Sequence, residues 1–254
     1  ALFRIEKIKI PLPSLEKQCQ IAAILDKANS VRRKRKQAIK LTKNLLRSQF
    51  LQMFGNPVQN PYGWELEKIG NLGKIITGNT PPRANRENYG DYIEWIKSDN
   101  ITTPYHFLTS ASEKLSYQGK RIARSVPPGS ILVTCIAGSR NSIGKAALTD
   151  REVTFNQQIN AIAPKKSVNP YFLYSHFFVA QHLVQAQLTD SIKGLVNKSK
   201  FSNIIFLNPP QEKQQQFGNW FLKFHKWLNK LYQDEKLAEQ LFNSLVQRVF
   251  SREL

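Results

Sequence analysis

Hydrophobic and polar residues alternate along this chain in two different ways, and the change between them divides the chain into three parts. Apolar residues recur three and four positions apart over residues 13–54 and again over residues 209–250, as they do in long amphipathic helices. Between these stretches, short apolar runs are separated by turn-forming residues, which is typical of β-strands. The sequence therefore predicts two long helices that flank a strand-rich insert.

The two helical stretches are copies of one pattern. At a constant offset of 196 positions, PSLEKQ at 13–18 aligns with PPQEKQ at 209–214, and ten further positions from 8 to 54 carry identical residues. Each copy opens with proline followed by glutamate, and both residue types favour the first turn of a helix. We expect a strand followed by a long helix as the repeated unit, with the strands at residues 3–12 and 199–208.

The apolar positions of each helix predict one packing seam of heptad type. In the second helix the expected seam residues, interrupted only by Asp234, are Phe217, Trp220, Phe224, Trp227, Leu231, Ala238, Leu241 and Leu245. In the first helix they are Ile21, Ile24, Ala28, Val31, Ala38 and Leu45, interrupted by Arg35, Thr42 and Gln49. Such helices would be about 60 Å long at about 1.5 Å per residue, which exceeds the need of one compact domain. We expect them to pair as an antiparallel coiled coil; two ordinary amphipathic core helices are the alternative.

The insert, from Trp64 to about Lys200, is predicted to be a mixed α/β domain. The expected elements are strands at 75–77, 92–97, 146–148 and 159–163, a buried central strand in ILVTCIA at 131–137, and one helix from Pro170 to about Leu188. These strands are too short for a doubly wound parallel sheet. The predicted fold class is α+β, with the first helix in residues 1–55, the insert in 56–200 and the second helix in 201–254.

The net charge of +19 indicates a polyanionic partner. Residues 1–55 carry 13 Lys and Arg against 3 Asp and Glu, and residues 56–200 carry 17 against 10, so the excess lies in the first helix and the insert. Nucleic acid is the leading candidate, because neutralising phosphates releases counterions. The basic run at 32–36 fits a solvated helix face equally well. We expect a cytoplasmic protein, since the chain has no apolar run long enough to span a membrane and no signal peptide.

Three sequence strings resemble catalytic motifs, but each departs from its motif. Asn208-Pro-Pro-Gln211 lacks the aromatic fourth residue of the NPPY tetrad of amino-methyltransferases, and we interpret it as a strand-to-helix turn. The loop at 138–145 has five residues between its glycines, and Ala146 follows where a phosphate loop has Ser or Thr. Asp91, Glu94 and Lys97 lack the spacing of a metal nuclease. The two cysteines and four histidines have no metal-ligand spacing, so we expect no catalytic residue, metal or cofactor.

Polar loop residues of the insert are instead candidates for contacts with DNA. Arg and Lys can pair with guanine, Asn and Gln with adenine, and Ser and Thr can position the phosphate backbone. Each such residue alone is more often an ordinary surface group, so the prediction rests on their clustering beside glycines. The candidates are Thr77, Asn79, Thr80, Arg83, Lys97, Asp99, Asn100, Ser139, Arg140, Asn141, Lys145, Asn156, Gln157 and Gln158.

Several motifs in order resemble a known family. They are the proline turn ending in Gln18, Gly63-Trp64, the Gly78-Asn-Thr-Pro81 turn, GSRNSIGKAAL, FNQQINAI and the closing helix copy. Together they look like the specificity subunit of type I restriction-modification systems, over nearly the whole chain. The resemblance implies that the insert reads one half of a split double-stranded DNA target. It also implies that the helices act as a spacer and bind methyltransferase subunits, and through them the restriction subunit.

The resemblance covers one target-recognition domain and both helices, whereas such subunits have two of these domains. We therefore expect a half-subunit, natural or cut from a longer one, and a head-to-tail homodimer through the helices. Chemistry, with S-adenosylmethionine, would belong to the partner subunits. A coiled-coil scaffold that binds only protein, or a degenerate methyltransferase, are the other hypotheses.

Overall fold

The structure, a computed structural model, describes residues 12–188 and 194–251. It contains two compact units, one formed by the described parts of Ala1–Leu45 and Lys223–Leu254, the other by those of Leu46–Leu222. Of the strand predicted at residues 3–12, all but Leu12 lies outside the described residues. Among the helices of the described ranges, none has an apolar stretch long enough to cross a bilayer.

Long helices open and close the described chain, and short strands and helices lie between them. The helices are α1 (Leu15–Phe54), α2 (Ile69–Leu72), α3 (Ser98–Ile101), α4 (Tyr117–Ile122), α5 (Pro170–Val179), α6 (Gln181–Gln185), α7 (Lys198–Ser202) and α8 (Gln211–Phe250). The strands are β1 (Leu66–Lys68), β2 (Gly73–Thr77), β3 (Tyr89–Ile96), β4 (Lys114–Leu115), β5 (Ser125–Val126), β6 (Ile131–Thr134), β7 (Ile136–Ala137), β8 (Ala146–Leu148), β9 (Val153–Phe155), β10 (Ile159–Pro164), β11 (Gly194–Leu195) and β12 (Ile205–Leu207).

The repeat seen in the sequence is present in the structure. Both α1 and α8 have 40 residues, and their bounds are offset by 196 positions at each end. In α1 the Gln18 side chain donates to the carbonyl oxygen of Pro13 at 2.8 Å, and in α8 Gln214 donates to Pro209 at the same distance. The proline turn thus forms the same local hydrogen bond twice, and the Asn208–Gln211 string is the strand-to-helix turn that we predicted.

Helices α1 and α8 pair in opposite directions within the first unit. Arg32 contacts Glu239 at 3.1 Å and its guanidinium lies 4.3 Å from the centre of the Phe242 ring. Three residues later along α1, Arg35 contacts Asp234 at 3.1 Å, so residue numbers rise in one helix as they fall in the other. The predicted antiparallel pairing is confirmed.

The predicted seam of α8 was wrong at alternate positions. Phe217 and Phe224 are buried as expected, but the other buried large apolar residues of α8 are Phe221 and Leu228, whereas Trp227 is 47% exposed. The buried residues 217, 221, 224 and 228 have the same three-and-four spacing as the predicted residues 217, 220, 224 and 227. Spacing alone therefore does not tell which of the two sets faces the seam.

In α1, as in α8, the residues that face the seam lie one position after the predicted ones at alternate places. Ile24, Val31 and Leu45, predicted on the seam, are exposed, while Thr42, predicted to interrupt it, is 2% exposed and donates to its own helix. Arg35 is accommodated through its ion pair with the opposite helix. Polar side chains therefore occupy the seam of α1 where they find a partner.

Within the described residues, the strands form two four-stranded sheets and two strand pairs. One sheet has the order β2-β10-β6-β8 and the other the order β4-β3-β9-β5, while β1 pairs with β12 and β7 with β11. All these pairings are antiparallel except that of β3 with β9. Strand β6 is fully buried in the middle of its sheet, which confirms the predicted central strand over residues 131–134; its last part, 136–137, is instead the half-buried strand β7, which pairs with β11. The mixed α/β insert is confirmed as well.

Two further predicted elements need correction. The single helix expected from Pro170 is two helices, because the backbone leaves helical geometry at Ala180 (φ −112°, ψ 35°) between α5 and α6. The strand expected at 199–208 begins instead as helix α7, whose start is capped by Asn197: its side chain accepts a hydrogen bond from the Lys200 N–H at 2.8 Å. Of the range 199–208, only β12 is a strand.

Candidate nucleic-acid interface

The candidate segments lie at one edge of the β2-β10-β6-β8 sheet. Strands β2 and β6 end at this edge, and β8 and β10 begin there, with Thr77 opposite Asn160. Strand β3 also ends there, because it runs parallel to β9 with Ile96 opposite Phe155, just before the turn into β10. We call this surface the loop edge, and it consists of residues 78–83, 97–100, 138–145 and 156–158.

Backbone hydrogen bonds hold these segments together. The Asn79 N–H donates to the Phe155 carbonyl at 3.0 Å, and the Asn156 N–H donates to Ile96 at 3.0 Å. The Cys135 N–H, at the start of the connection that leads to residues 138–145, donates to Gln158 at 2.8 Å. Segments far apart in sequence therefore form one continuous surface.

A charged cluster occupies one side of the loop edge. Both nitrogens of the Arg83 fork donate to the Glu113 carboxylate, at 2.7 and 3.3 Å, and the Lys97 ammonium pairs with the same carboxylate. Both cations also lie 5.2 Å from the centre of the Trp95 ring. The hydrogen bond from Arg83 lowers the pKa of Glu113 despite partial desolvation, and Lys97 lowers it further, so this carboxylate is ionised at neutral pH.

The asparagine side chains of the loop edge bind protein groups. Asn79 donates to a backbone carbonyl at the end of α4 at 3.1 Å and accepts from the Arg124 N–H at 2.8 Å. Asn100 accepts from the Lys97 N–H at 3.0 Å and donates to the Ser110 carbonyl, between α3 and β4, at 3.1 Å. Asn156 donates to Gln158 at 3.0 Å. In this structure, these side chains therefore stabilise the loop conformations through hydrogen bonds within the protein.

The remaining candidates near β2 also have internal partners. Thr77 donates to the Asn160 side chain at 2.6 Å, and Thr80 donates to Gln157, which is itself exposed. Asp99 is exposed at the first turn of α3, where its carboxylate accepts from a backbone N–H at 3.1 Å. Gln157 and Asp99 thus present polar atoms outward.

The loop at 138–145 has an ordered backbone and exposed side chains. The Gln181 amide donates to the carbonyls of Asn141 and Ile143 at 3.0 and 2.7 Å, and the Gln185 amide donates to those of Arg140 and Ile143 at 3.1 and 3.3 Å. These bonds involve carbonyl oxygens only. The exposed side chains in this loop are those of Ser139, Arg140 and Asn141, while Lys145 is half-buried.

Three residues that the sequence did not single out belong to this surface. Gln181 and Gln185 fix the 138–145 loop, although they lie some forty positions away in the chain. Arg124 donates to the Thr77 carbonyl at 2.8 Å and is exposed. The basic run GKRIAR at 119–124 was a signal for Arg124; the two glutamines gave none, because their role depends on how α6 packs.

The loop edge is suited to binding an anionic surface. Its cations are Arg83, Lys97, Arg140 and Lys145, and Arg124 lies beside it. These cations outnumber the carboxylates of Asp99 and of the adjacent Glu113. The nearby Cys135 is buried, and desolvation raises the pKa of its thiol to about 12, so it is not a nucleophile at neutral pH. The arrangement can hold phosphates and the edges of bases.

Comparison with known proteins places this chain in a family. The family model described as "Type I restriction modification DNA specificity domain" matches residues 2–41 and 61–239. The chain is 32% identical over 194 residues to the specificity subunit of the type I restriction enzyme HindI of Haemophilus influenzae, covering 70% of this chain and 39% of that protein. It is 26% identical over 195 residues to the MjaIX specificity subunit of Methanocaldococcus jannaschii, covering 72% and 44%. The chain thus spans about two fifths of the length of these relatives.

Solved structures of this type share the fold. A chain from a study of complex assembly and conformational transition of the type I R-M system matches with a TM-score of 0.64 at 19% identity, covering 95% of this chain and 60% of that one. The S subunit from M. genitalium matches with a TM-score of 0.62 at 12% identity, covering 93% and 61%. The HsdS subunit from Thermoanaerobacter tengcongensis matches with a TM-score of 0.53 at 21% identity, covering 96% and 60%.

These similarities confirm the resemblance inferred from the sequence motifs. The family match covers most of both the insert and the two flanking helices. The chain belongs to the family of type I restriction-modification DNA specificity domains.

Proposed function

We propose that this chain is a non-catalytic DNA-specificity subunit that reads one half of a bipartite double-stranded target with its loop edge. The observation that carries the proposal is the convergence of four polar segments, two of which contain glycine, on one sheet edge with an excess of cations. Such a surface combines groups that bind phosphate with groups that contact base edges. DNA reading is assigned to residues 56–200.

We assign the helices, in residues 1–55 and 201–254, to spacing and docking. They present exposed leucines at equivalent places in the repeat, Leu41 and Leu45 in α1 and Leu237 and Leu241 in α8. Methyltransferase subunits would dock on these helices and would in turn recruit the restriction subunit. Methyl transfer and its cofactor S-adenosylmethionine belong to those partners, and the complex acts in the cytoplasm.

We further propose that two copies associate head-to-tail through the helices. At the start of α8, Gln214 and Phe217 are buried, and Gln214 accepts a hydrogen bond from the Asn169 N–H of the insert at 3.0 Å. The equivalent residues at the start of α1, Gln18 and Ile21, are only half-buried. In the dimer, the insert of a second copy would cover the turn at Gln18, in the same way as the chain's own insert covers the turn at Gln214.

The experiment that tests DNA reading is binding of the purified chain to duplexes selected from a random-sequence pool, alone and with methyltransferase subunits, at several salt concentrations. A specificity subunit enriches one sequence and binds it with strong salt dependence. Protein binding without any sequence enrichment would identify a scaffold instead. Binding of S-adenosylmethionine by the isolated chain in calorimetry would contradict the non-catalytic assignment, and light scattering of a strict monomer at micromolar concentration would refute the dimer.

A further inference from the structure

Glu113 is the one carboxylate that neutralises two cations of the loop edge within the described residues. Its two oxygens accept from Arg83 at 2.7 and 3.3 Å, and it also pairs with Lys97. Its position is fixed by the sheet, because its backbone carbonyl accepts from the Trp95 N–H at 3.1 Å immediately before β4. The side chain is 24% exposed, so this ion pairing is accessible to a ligand at the edge.

A carboxylate in this place affects phosphates and base edges differently. A phosphate that approaches Arg83 or Lys97 also approaches the negative charge of Glu113, and like charges at close range oppose binding. The O6 and N7 atoms of guanine are neutral acceptors, and a guanidinium has five N–H donors, so it can bind guanine while it keeps a carboxylate. Phosphates are present in every DNA sequence, whereas a correctly placed guanine is not.

We propose that Glu113 is a specificity-determining residue, which weakens phosphate binding by Arg83 and Lys97 and so lowers affinity for arbitrary DNA more than affinity for the target. The inference rests on the proposed function, and it adds a repulsive element to the attractive contacts of the loop edge. Specificity is a difference between two affinities, and weakening the wrong complex increases it as much as strengthening the right one.

The test compares Glu113→Gln with the unchanged chain on two duplexes, the sequence enriched from a random pool and a scrambled version of it. Glutamine keeps the shape and removes the charge. We expect binding to the scrambled duplex to become tighter by up to roughly fivefold at low salt, the factor for one exposed ion pair. The slope of log K against log salt should steepen by about 0.9 for each freed cation that reaches a phosphate. Binding to the enriched duplex should gain less, so the ratio of affinities falls.

Two further variants separate charge from structure. Glu152→Gln makes the same change of net charge, but it breaks an ion pair outside the loop edge, in which Glu152 lies 2.8 Å from Lys120. This control variant should leave the ratio of the two affinities unchanged. Glu113→Asp retains the charge and should keep most of the discrimination. Equal weakening of both duplexes by Glu113→Gln, or an unchanged ratio, would overturn the inference. If the unchanged chain enriches no sequence, the proposed function fails, and the role of Glu113 is judged from the salt slope on arbitrary DNA alone.

Discussion

Lowering the pH should destabilise the insert through one buried histidine. His176 in α5 has no exposed surface, its ring stacks on Phe206 at 3.7 Å between centres, and its Nε2 accepts a hydrogen bond from the Leu207 N–H at 3.0 Å. Desolvation lowers the pKa of His176 from 6.5 to about 3. The folded protein therefore keeps this ring neutral at a pH where the unfolded chain protonates it.

The size of the effect follows from proton linkage. Because the folded pKa is lower than the unfolded one, the unfolded state binds more protons between these values, and stability is lost as pH falls from about 6.5 toward about 3. With these two pKa values, the free energy of unfolding decreases by about 2 kcal/mol between pH 7 and pH 5 through this group alone. That is a large part of the stability of an ordinary domain.

The assay is urea unfolding at pH 7 and pH 5 for the unchanged chain and for His176→Gln, which has an acceptor for the Leu207 N–H and does not titrate. The variant should be less stable at pH 7, because it loses the ring stacking, but its stability should fall less between the two pH values. The other titrating groups contribute equally to the pH dependence of both proteins, so their contributions cancel when the two changes in stability are compared. A decrease of the same size in both proteins would refute the assignment of a neutral buried His176.

Three other changes test the loop edge. Gly78→Ala would place a methyl group against two carbonyl oxygens of the chain before β10, so thermal unfolding should show a loss of stability of roughly 1–3 kcal/mol or more. At Gly138 an added methyl group meets no atom within 4 Å, so Gly138→Ala should leave stability nearly unchanged. Arg140→Ala should weaken binding to the enriched duplex by roughly 1–3 kcal/mol in titrations, and an equal loss on all sequences would identify a phosphate contact instead. Replacing both Gln181 and Gln185 with alanine should reduce sequence discrimination in the same titrations without changing the charge, and unchanged discrimination would contradict their role in fixing the loop.

The sequence by itself determined the long helices and the mixed character of the insert. The three-and-four spacing and the proline turns act within a few residues of the chain, so they can be recognised without knowing the fold. The repeat at offset 196 also predicted two equivalent helices, and in the structure Gln18 and Gln214 form the same hydrogen bond in the turns that open them. Likewise, a run of apolar residues before Cys135 was enough to identify the central strand.

Only the tertiary structure decided which of two adjacent residues faces the helix seam, because Trp227 and Leu228 fit the same spacing and packing selects between them. It also decided which polar residues of the loop edge remain exposed. Asn79 and Arg140 look equally suitable in the sequence, but Asn79 binds α4 and Arg124, whereas Arg140 extends outward. These outcomes depend on strand pairings between distant segments, such as β3 with β9, and a local pattern holds no information about such pairings.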